Sequence, residues 1–225
     1  MGIHTVTYTA TDACGNSSTC TMRVQVIDNV PPVPVCDAVT VVDLTSNGTG
    51  YVNASSFNDG SNDNCTIDEV LISRDGINFL EGIFFDCDDL AQSPLSLTLR
   101  VYDWARNFND CSVTVIVEDK LAPILVCPAT ANLSCEVDYL DLALTGQPLV
   151  QDNCGMDTVY FTDNVQLNNC NVGRVIRTWT AEDKYGNATS CLQWINLVDN
   201  TPVQVNSFPE NYTTSICGVT LDPVL

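Results

Sequence analysis

Basic side chains are scarce: eight lysines and arginines stand against 28 acidic residues, giving a formal net charge of −20. Phosphate recognition needs clustered Lys and Arg, so this surface repels nucleic acid and anionic lipid, while it can attract divalent cations. The single histidine, His4, leaves little room for a His-based triad or metal centre. There is no GxSxG, P-loop or GxGxxG. The adjacent acids Asp88-Asp89 and Glu182-Asp183 make poor glycosidase pairs, because neighbours on a strand face opposite ways. No apolar run is long enough to span a membrane, and no basic stretch leads into an apolar one as in a signal peptide. An enzyme is not expected.

Cysteine, by contrast, is abundant. Twelve cysteines with no CxxC suit disulfides and an oxidising environment better than zinc. Without a leader, such a chain is expected to be a piece of a longer exported protein, Met1-Gly2 being an arbitrary start. The apolar fraction of 45% is that of a globular protein and not of a disordered acidic tail.

Self-comparison finds one frame three times. It covers TVTYTATDACGNSSTCTMRVQVIDNVPP from Thr5, SLTLRVYDWARNFNDCSVTVIVEDKLAP from Ser96, and VIRTWTAEDKYGNATSCLQWINLVDNTP from Val175. Asp12, Asp103 and Asp183 each precede an Asn (Asn16, Asn107, Asn187), then a Cys (Cys20, Cys111, Cys191), then a second Asp (Asp28, Asp119, Asp199) and a proline. The spacing from Asp to Asp is 91 and then 80 residues, the size of one small sandwich domain. The expected division is a C-terminal remnant at 1–32, complete repeats at 33–122 and 123–201, and an N-terminal stub at 202–225.

Each frame reads as strand, tight loop, strand. Val6, Tyr8 and Ala10 alternate before the loop, as do Leu97, Leu99 and Val101; Met22, Val24 and Val26 alternate after it, as do Val113, Val115 and Val117. Period two predicts strands with one buried face. Arg177 stands where Val6 and Leu97 stand, so the inward face of the third copy is open. Val39 to Leu44 and Tyr51 to Phe57 flank a Ser46-Asn47-Gly48 turn, and no long stretch has a helical period. The expected class is all-β.

The run TVTYTATDACGNSSTC followed by VQVIDNVPPVPVC resembles the HYR (hyalin repeat) module, an immunoglobulin-like sandwich found in tandem in extracellular proteins, and is similar to the Cys-rich HYR-like repeats of bacterial surface adhesins. Asp63-Asn64-Cys65 and Asp152-Asn153-Cys154 fit the same pattern. The resemblance implies tandem immunoglobulin-like β-sandwich repeats. In that topology the first and last strands run side by side, which implies Cys36–Cys111 and Cys127–Cys191. Cys65–Cys87 and, by analogy, Cys154–Cys170 are then expected from the remaining cysteines, with Cys14, Cys20, Cys135 and Cys217 unassigned.

The same topology gathers acids at the pole beside the incoming linker: Asp28, Asp59, Asp63, Asp103 and Asn107 for one repeat, and Asp119, Asp152, Asp183 and Asn187 for the next. Two readings stand. Calcium takes six to eight oxygen ligands, which such sets can supply; Asp and Asn are also ordinary turn residues that bond their own loop backbone. No cofactor is required beyond a possible Ca2+. Trp104, in a polar loop, either stacks on sugar or packs on the adjoining domain. Seven Asn-x-Ser/Thr sequons, at Asn16, Asn47, Asn53, Asn64, Asn132, Asn187 and Asn211, can accept glycans in a eukaryotic secretory route.

The functional expectation is a spacer or shaft module of an extracellular or cell-surface fibre or adhesin. Its partners would be neighbouring repeats and identical chains, with no nucleic acid and no membrane insertion. The alternatives are a glycan- or protein-binding module and an accessory domain of a larger secreted enzyme.

Overall fold

The structure, a computed structural model, describes residues 2–204. The expected stub at 202–225, with Cys217 and the Asn211 sequon, lies outside the described residues from 205 on.

Strands β1 (Gly2–Thr11) and β2 (Ser17–Val26) form an antiparallel hairpin. A second block follows: β3 (Val39–Asp43), β4 (Thr49–Asn53), β5 (Ile67–Ser73), β6 (Gly82–Asp86), a one-turn helix α1 (Cys87–Leu90), β7 (Leu95–Asp103) and β8 (Phe108–Glu118). Its main sheet has the order β3-β8-β7-β5, and β4 pairs with β6 in a separate two-stranded sheet. The third block holds β9 (Ile124–Val126), β10 (Ala131–Ser134), helix α2 (Leu142–Thr145), β11 (Leu149–Gln151), β12 (Met156–Leu167), β13 (Gly173–Asp183) and β14 (Ala188–Val198). Here the main sheet is β10-β14-β13-β12, with β11 paired to β9. The chain is all-β, built as immunoglobulin-like sandwiches.

In both blocks the first strand of the main sheet runs parallel to the last: β3 to β8 with Val39 opposite Thr114, and β10 to β14 with Ala131 opposite Ile195. Parallel neighbours need a long crossover, and the intervening strands provide it. The cysteine that precedes the first strand of each main sheet thereby comes beside the last strand. Cys36 bonds Cys111 and Cys127 bonds Cys191, with Cα–Cα distances of 6.1 and 5.9 Å. Closing loops of 75 and 64 residues, each bond restricts the unfolded chain by about 4 kcal/mol in the loop-entropy account.

The alternating residues of β7 and β8 fill the second block. Leu97, Leu99, Val101, Val113, Val115 and Val117 are buried against Phe57, Ile72, Ile83 and Phe85, each large side chain contributing about 1.5–3 kcal/mol. The hairpin differs. Val6, Tyr8, Met22 and Val26 occupy matching positions yet are exposed, because no described element packs on that face. Alternation makes an apolar face, and only a second layer buries it.

The third block keeps the frame and changes the filling. Arg177, Trp179 and Gln193 stand where Leu97, Leu99 and Val113 stand in the second block. Arg177 has no exposed surface; its guanidinium pairs in a fork with Asp163 at 2.8 Å on both oxygens and donates to the Tyr139 carbonyl and Thr145 Oγ1. It also lies 3.9 Å from the Phe161 ring centroid. Trp179 Nε1 donates to Gln193 Oε1 at 2.9 Å, and Gln193 Nε2 donates to the Thr145 and Ala129 carbonyls. Period-two reading marks Arg177 as an outlier but does not identify Asp163, whose opposition to Arg177 depends on the β12–β13 register.

Removing one member of a buried pair strands the other charge. Asp163→Ala should therefore destabilise the chain by about 3–5 kcal/mol in urea unfolding, and adding Arg177→Leu should recover most of the loss. Equal losses in the single and double variants would refute this account of the core.

Candidate functional site

The loop between the last two strands of each repeat is closed by its own Asp and Asn. In the third block the Asn187 N–H donates to Asp183 Oδ1 at 2.9 Å and Asn187 Nδ2 to Asp183 Oδ2 at 2.7 Å. Asn107 repeats both bonds to Asp103, and Asn16 repeats them to Asp12. The residue before each Asn has positive φ: Gly15 at 90°, Arg106 at 69° and Gly186 at 88°. Glycine adopts this conformation freely, whereas Arg106 bears a cost.

The same carboxamide reaches the incoming linker. Asn107 Nδ2 also donates to the Asp28 carbonyl at 3.2 Å, and Asn187 Nδ2 to the Asp119 carbonyl at 3.0 Å. The Asp-Asn-Cys tripeptide then closes the pole. Asn153 Nδ2 donates to Asp119 Oδ1 at 3.0 Å while Asp152 Oδ1 accepts the Cys154 and Gly155 N–H groups. Upstream, Asn64 Nδ2 donates to Asp28 Oδ1 at 3.3 Å and Asp63 Oδ2 accepts the Cys65 and Thr66 N–H groups.

Asp119, Asp152 and Asp183 place carboxylate oxygens within 4.8 Å of one another. Asp119 is 6% exposed, and its Oδ2, like Oδ2 of Asp152, is buried with no hydrogen-bond partner. None of the three carboxylates is in an ion pair with a described Lys or Arg. Three acids converge here with oxygens left over, the donor chemistry of a hard divalent cation. The upstream junction groups Asp28, Asp63 and the Cys65 thiol instead. Asp28 Oδ2 and Asp63 Oδ1 are the buried unpartnered oxygens there. The Cys65 thiol, followed by the Val30 N–H, holds the Asp28 carboxyl below its ordinary value, and Asp28 pushes the thiol up.

Of the expected acids, Asp103 is fully buried with both oxygens engaged by Asn107, and it joins neither group. Asp59 is exposed and belongs to neither; its backbone N–H pairs with the Val35 carbonyl. Trp104 is 65% exposed among the described residues.

The cysteine pairing differs from the expectation. Cys87 bonds Cys154 of the following block at a Cα–Cα distance of 5.3 Å, while Cys65 and Cys170 are free. The expected Cys65–Cys87 and Cys154–Cys170 bonds are therefore absent. The reason is polarity. Cys87 opens α1 at the C-terminal pole of its sandwich, beside the β3–β4 turn, whereas Asp-Asn-Cys sits at the N-terminal pole of the next one. Asn153 Nδ2 reaches the Thr45 carbonyl at 3.4 Å in that turn, and Cys87 and Cys154 both pack on the second block's core. Gly48 makes the approach possible: a Cβ there would lie 2.6 Å from Cys87 Sγ and 2.7 Å from the Asn153 carbonyl oxygen.

Comparison with known proteins agrees with this frame. Residues 1–26 match the family model of the HYR domain. The chain is 28% identical over 227 residues to hyalin of Strongylocentrotus purpuratus, covering 95% of this chain and 18% of that protein. It is 25% identical over 237 residues to hyalin of Lytechinus variegatus, covering 98% of this chain and 42% of that one. The chain thus spans less than half the length of these curated relatives. Among solved structures, mouse clustered PcdhgC3 EC1-3 aligns with 88% of this chain and 78% of its own at 12% identity and a TM-score of 0.39. The repeated unit is HYR-like.

Gly48→Ala should reduce the fraction of Cys87 and Cys154 joined after oxidative refolding, as read by alkylation and mass spectrometry, with Cys36–Cys111 unchanged. Full joining in the variant would count against the close approach of the turn.

Proposed function

We propose that the chain is a section of an extracellular or cell-surface shaft, in which HYR-like repeats divided near residues 33 and 123 act as disulfide-stabilised spacers with an adhesive rather than chemical role. The observation that carries this reading is the junction between the second and third blocks. A disulfide, the Asn187 bond to the linker carbonyl and the Asn153 bonds to Asp119 and Thr45 all tie consecutive units at one place. A spacer needs its joints held, and each of these contacts spans the joint or fixes the linker. Three disulfides suit an oxidising exterior. The similarity to proteins named hyalin points the same way. Its partners are neighbouring repeats and further copies of the chain, and no described helix is long and apolar enough to cross a membrane.

Calcium belongs to this reading at the second junction. Asp119, Asp152 and Asp183 would hold it, the free oxygens of Asp119 and Asp152 serving as ligands and the remaining positions going to backbone carbonyls or water. A cation there would neutralise three converging acids and set the linker against the third block. The exposed Trp104 supports a second reading, a loop that binds glycan or protein, because an uncovered ring is suited to stacking.

Thermal unfolding with calcium and with chelator tests the metal. At a calcium concentration about 100-fold above Kd the gain is about 2.7 kcal/mol, and Asp119→Asn with Asp152→Asn should abolish it. No calcium-dependent rise in Tm up to about 10 mM, above the range of extracellular modules, would return these acids to turn chemistry.

A further inference from the structure

The two Asp-Asn-Cys poles are built alike. In each, the Asn carboxamide donates to the linker Asp and lies against the neighbouring cysteine sulfur, and the first Asp of the tripeptide accepts the cysteine N–H. They differ in one respect: Cys154 is bonded to Cys87 of the preceding block, and Cys65 is free and exposed.

Two other observations locate what Cys65 lacks. The β1–β2 hairpin matches β7–β8, yet its apolar row Val6, Tyr8, Met22 and Val26 is uncovered, whereas Leu97, Leu99, Val113 and Val117 lie under the layer that includes β4, β6 and α1. Cys20, the counterpart of Cys111 and Cys191, is likewise free, although both counterparts are bonded to a linker cysteine. In the second block one stretch of chain, from Cys36 to α1, covers the hairpin, bonds Cys111 and presents Cys87 to the next pole. The hairpin lacks all three services of that stretch at once.

We propose that Cys65 is the receiving half of a second inter-repeat disulfide, its partner a cysteine presented, as Cys87 is, by the β-layer that covers the β1–β2 hairpin. The array is then stapled at successive junctions by one recurring bond, from the C-terminal pole of one repeat to the Asp-Asn-Cys of the next. Cys170 sits in the β12–β13 turn at the C-terminal pole of the third block, exposed and free, in the place of a donor for a following unit. The bond forms by exchange with an oxidised low-molecular-weight disulfide such as glutathione disulfide: two thiols lose their hydrogens, one S–S bond forms, and the oxidant leaves as two thiols. This inference is independent of the calcium reading and uses none of its ligands' free oxygens.

The layer has two possible sources, a neighbouring repeat of the same polypeptide and a second copy of this chain, and one experiment separates them. The protein, isolated from its source with free thiols blocked, is digested without reduction and its linked peptides are sequenced by mass spectrometry. The expected result is a Cys65 peptide joined to a cysteine outside the 225 residues, which identifies a neighbouring repeat. A Cys65 peptide joined to Cys135 or Cys170, with a ladder on non-reducing gels that Cys65→Ser removes, identifies a second copy. Either supports the staple. Cys65 recovered fully blocked as a free thiol, or joined to Cys14 or Cys20 of the β1–β2 hairpin, overturns it. The Cys87–Cys154 peptide serves as the internal control and should persist in Cys65→Ser.

Discussion

At each junction a single carboxamide does two things at once: Asn107 and Asn187 close their own loop through Asp103 and Asp183 and also hold the carbonyl of the incoming linker at Asp28 and Asp119. The remaining geometry follows from that grip. With the linker Asp fixed, its side chain meets the Asn of the Asp-Asn-Cys tripeptide, and the cysteine that follows is set toward the preceding unit. A net hydrogen bond is worth only about 1 kcal/mol. Its importance here is positional: with the Val30 and Leu121 N–H groups that bond Asp28 and Asp119 Oδ1, it fixes where the two linker carboxylates stand.

The second and third blocks show how far a sandwich frame tolerates different contents. Aliphatic packing in the second block needs no partners and can be read from alternation. The third replaces Leu97, Leu99 and Val113 with Arg177, Trp179 and Gln193, and every polar atom so introduced has to be matched. Burying an ion pair gains little over apolar packing, but leaving it half made is costly. The third block is thereby the more discriminating core, since the fork to Asp163 fits one register of β12 on β13.

The fold was legible in the sequence wherever a signal lay within one repeat. The spacing of Asp, Asn and Cys marks the final hairpin of each unit, and the side-by-side first and last strands that the HYR resemblance implies bring Cys36 to Cys111 and Cys127 to Cys191. What crosses a boundary was not legible. Pairing Cys65 with Cys87 assumes that each repeat satisfies its own cysteines, and the bond from Cys87 to Cys154 breaks that assumption. Asp59 was drawn into the acid cluster by its proximity in sequence to Asp63, but the backbone pairing of 59 with 35 turns it to solvent. Asp163 carried no signal at all, because a strand residue's partner is fixed by register, which spacing alone does not reveal.

The placement of the long-range disulfides also determines how the chain answers a pull along its length. Tension arriving through the linker at Cys36 has a covalent shortcut to Cys111 and leaves along β8, so the span of 75 residues between them is bypassed and cannot be drawn out while the bond is intact. Cys127 and Cys191 do the same for the next unit over 64 residues. A string of ordinary sandwiches lengthens under load by unravelling one unit after another. In these two units that lengthening is limited, because the load path runs through sulfur into the last strand, β8 or β14, and the chain between the bonded cysteines stays closed.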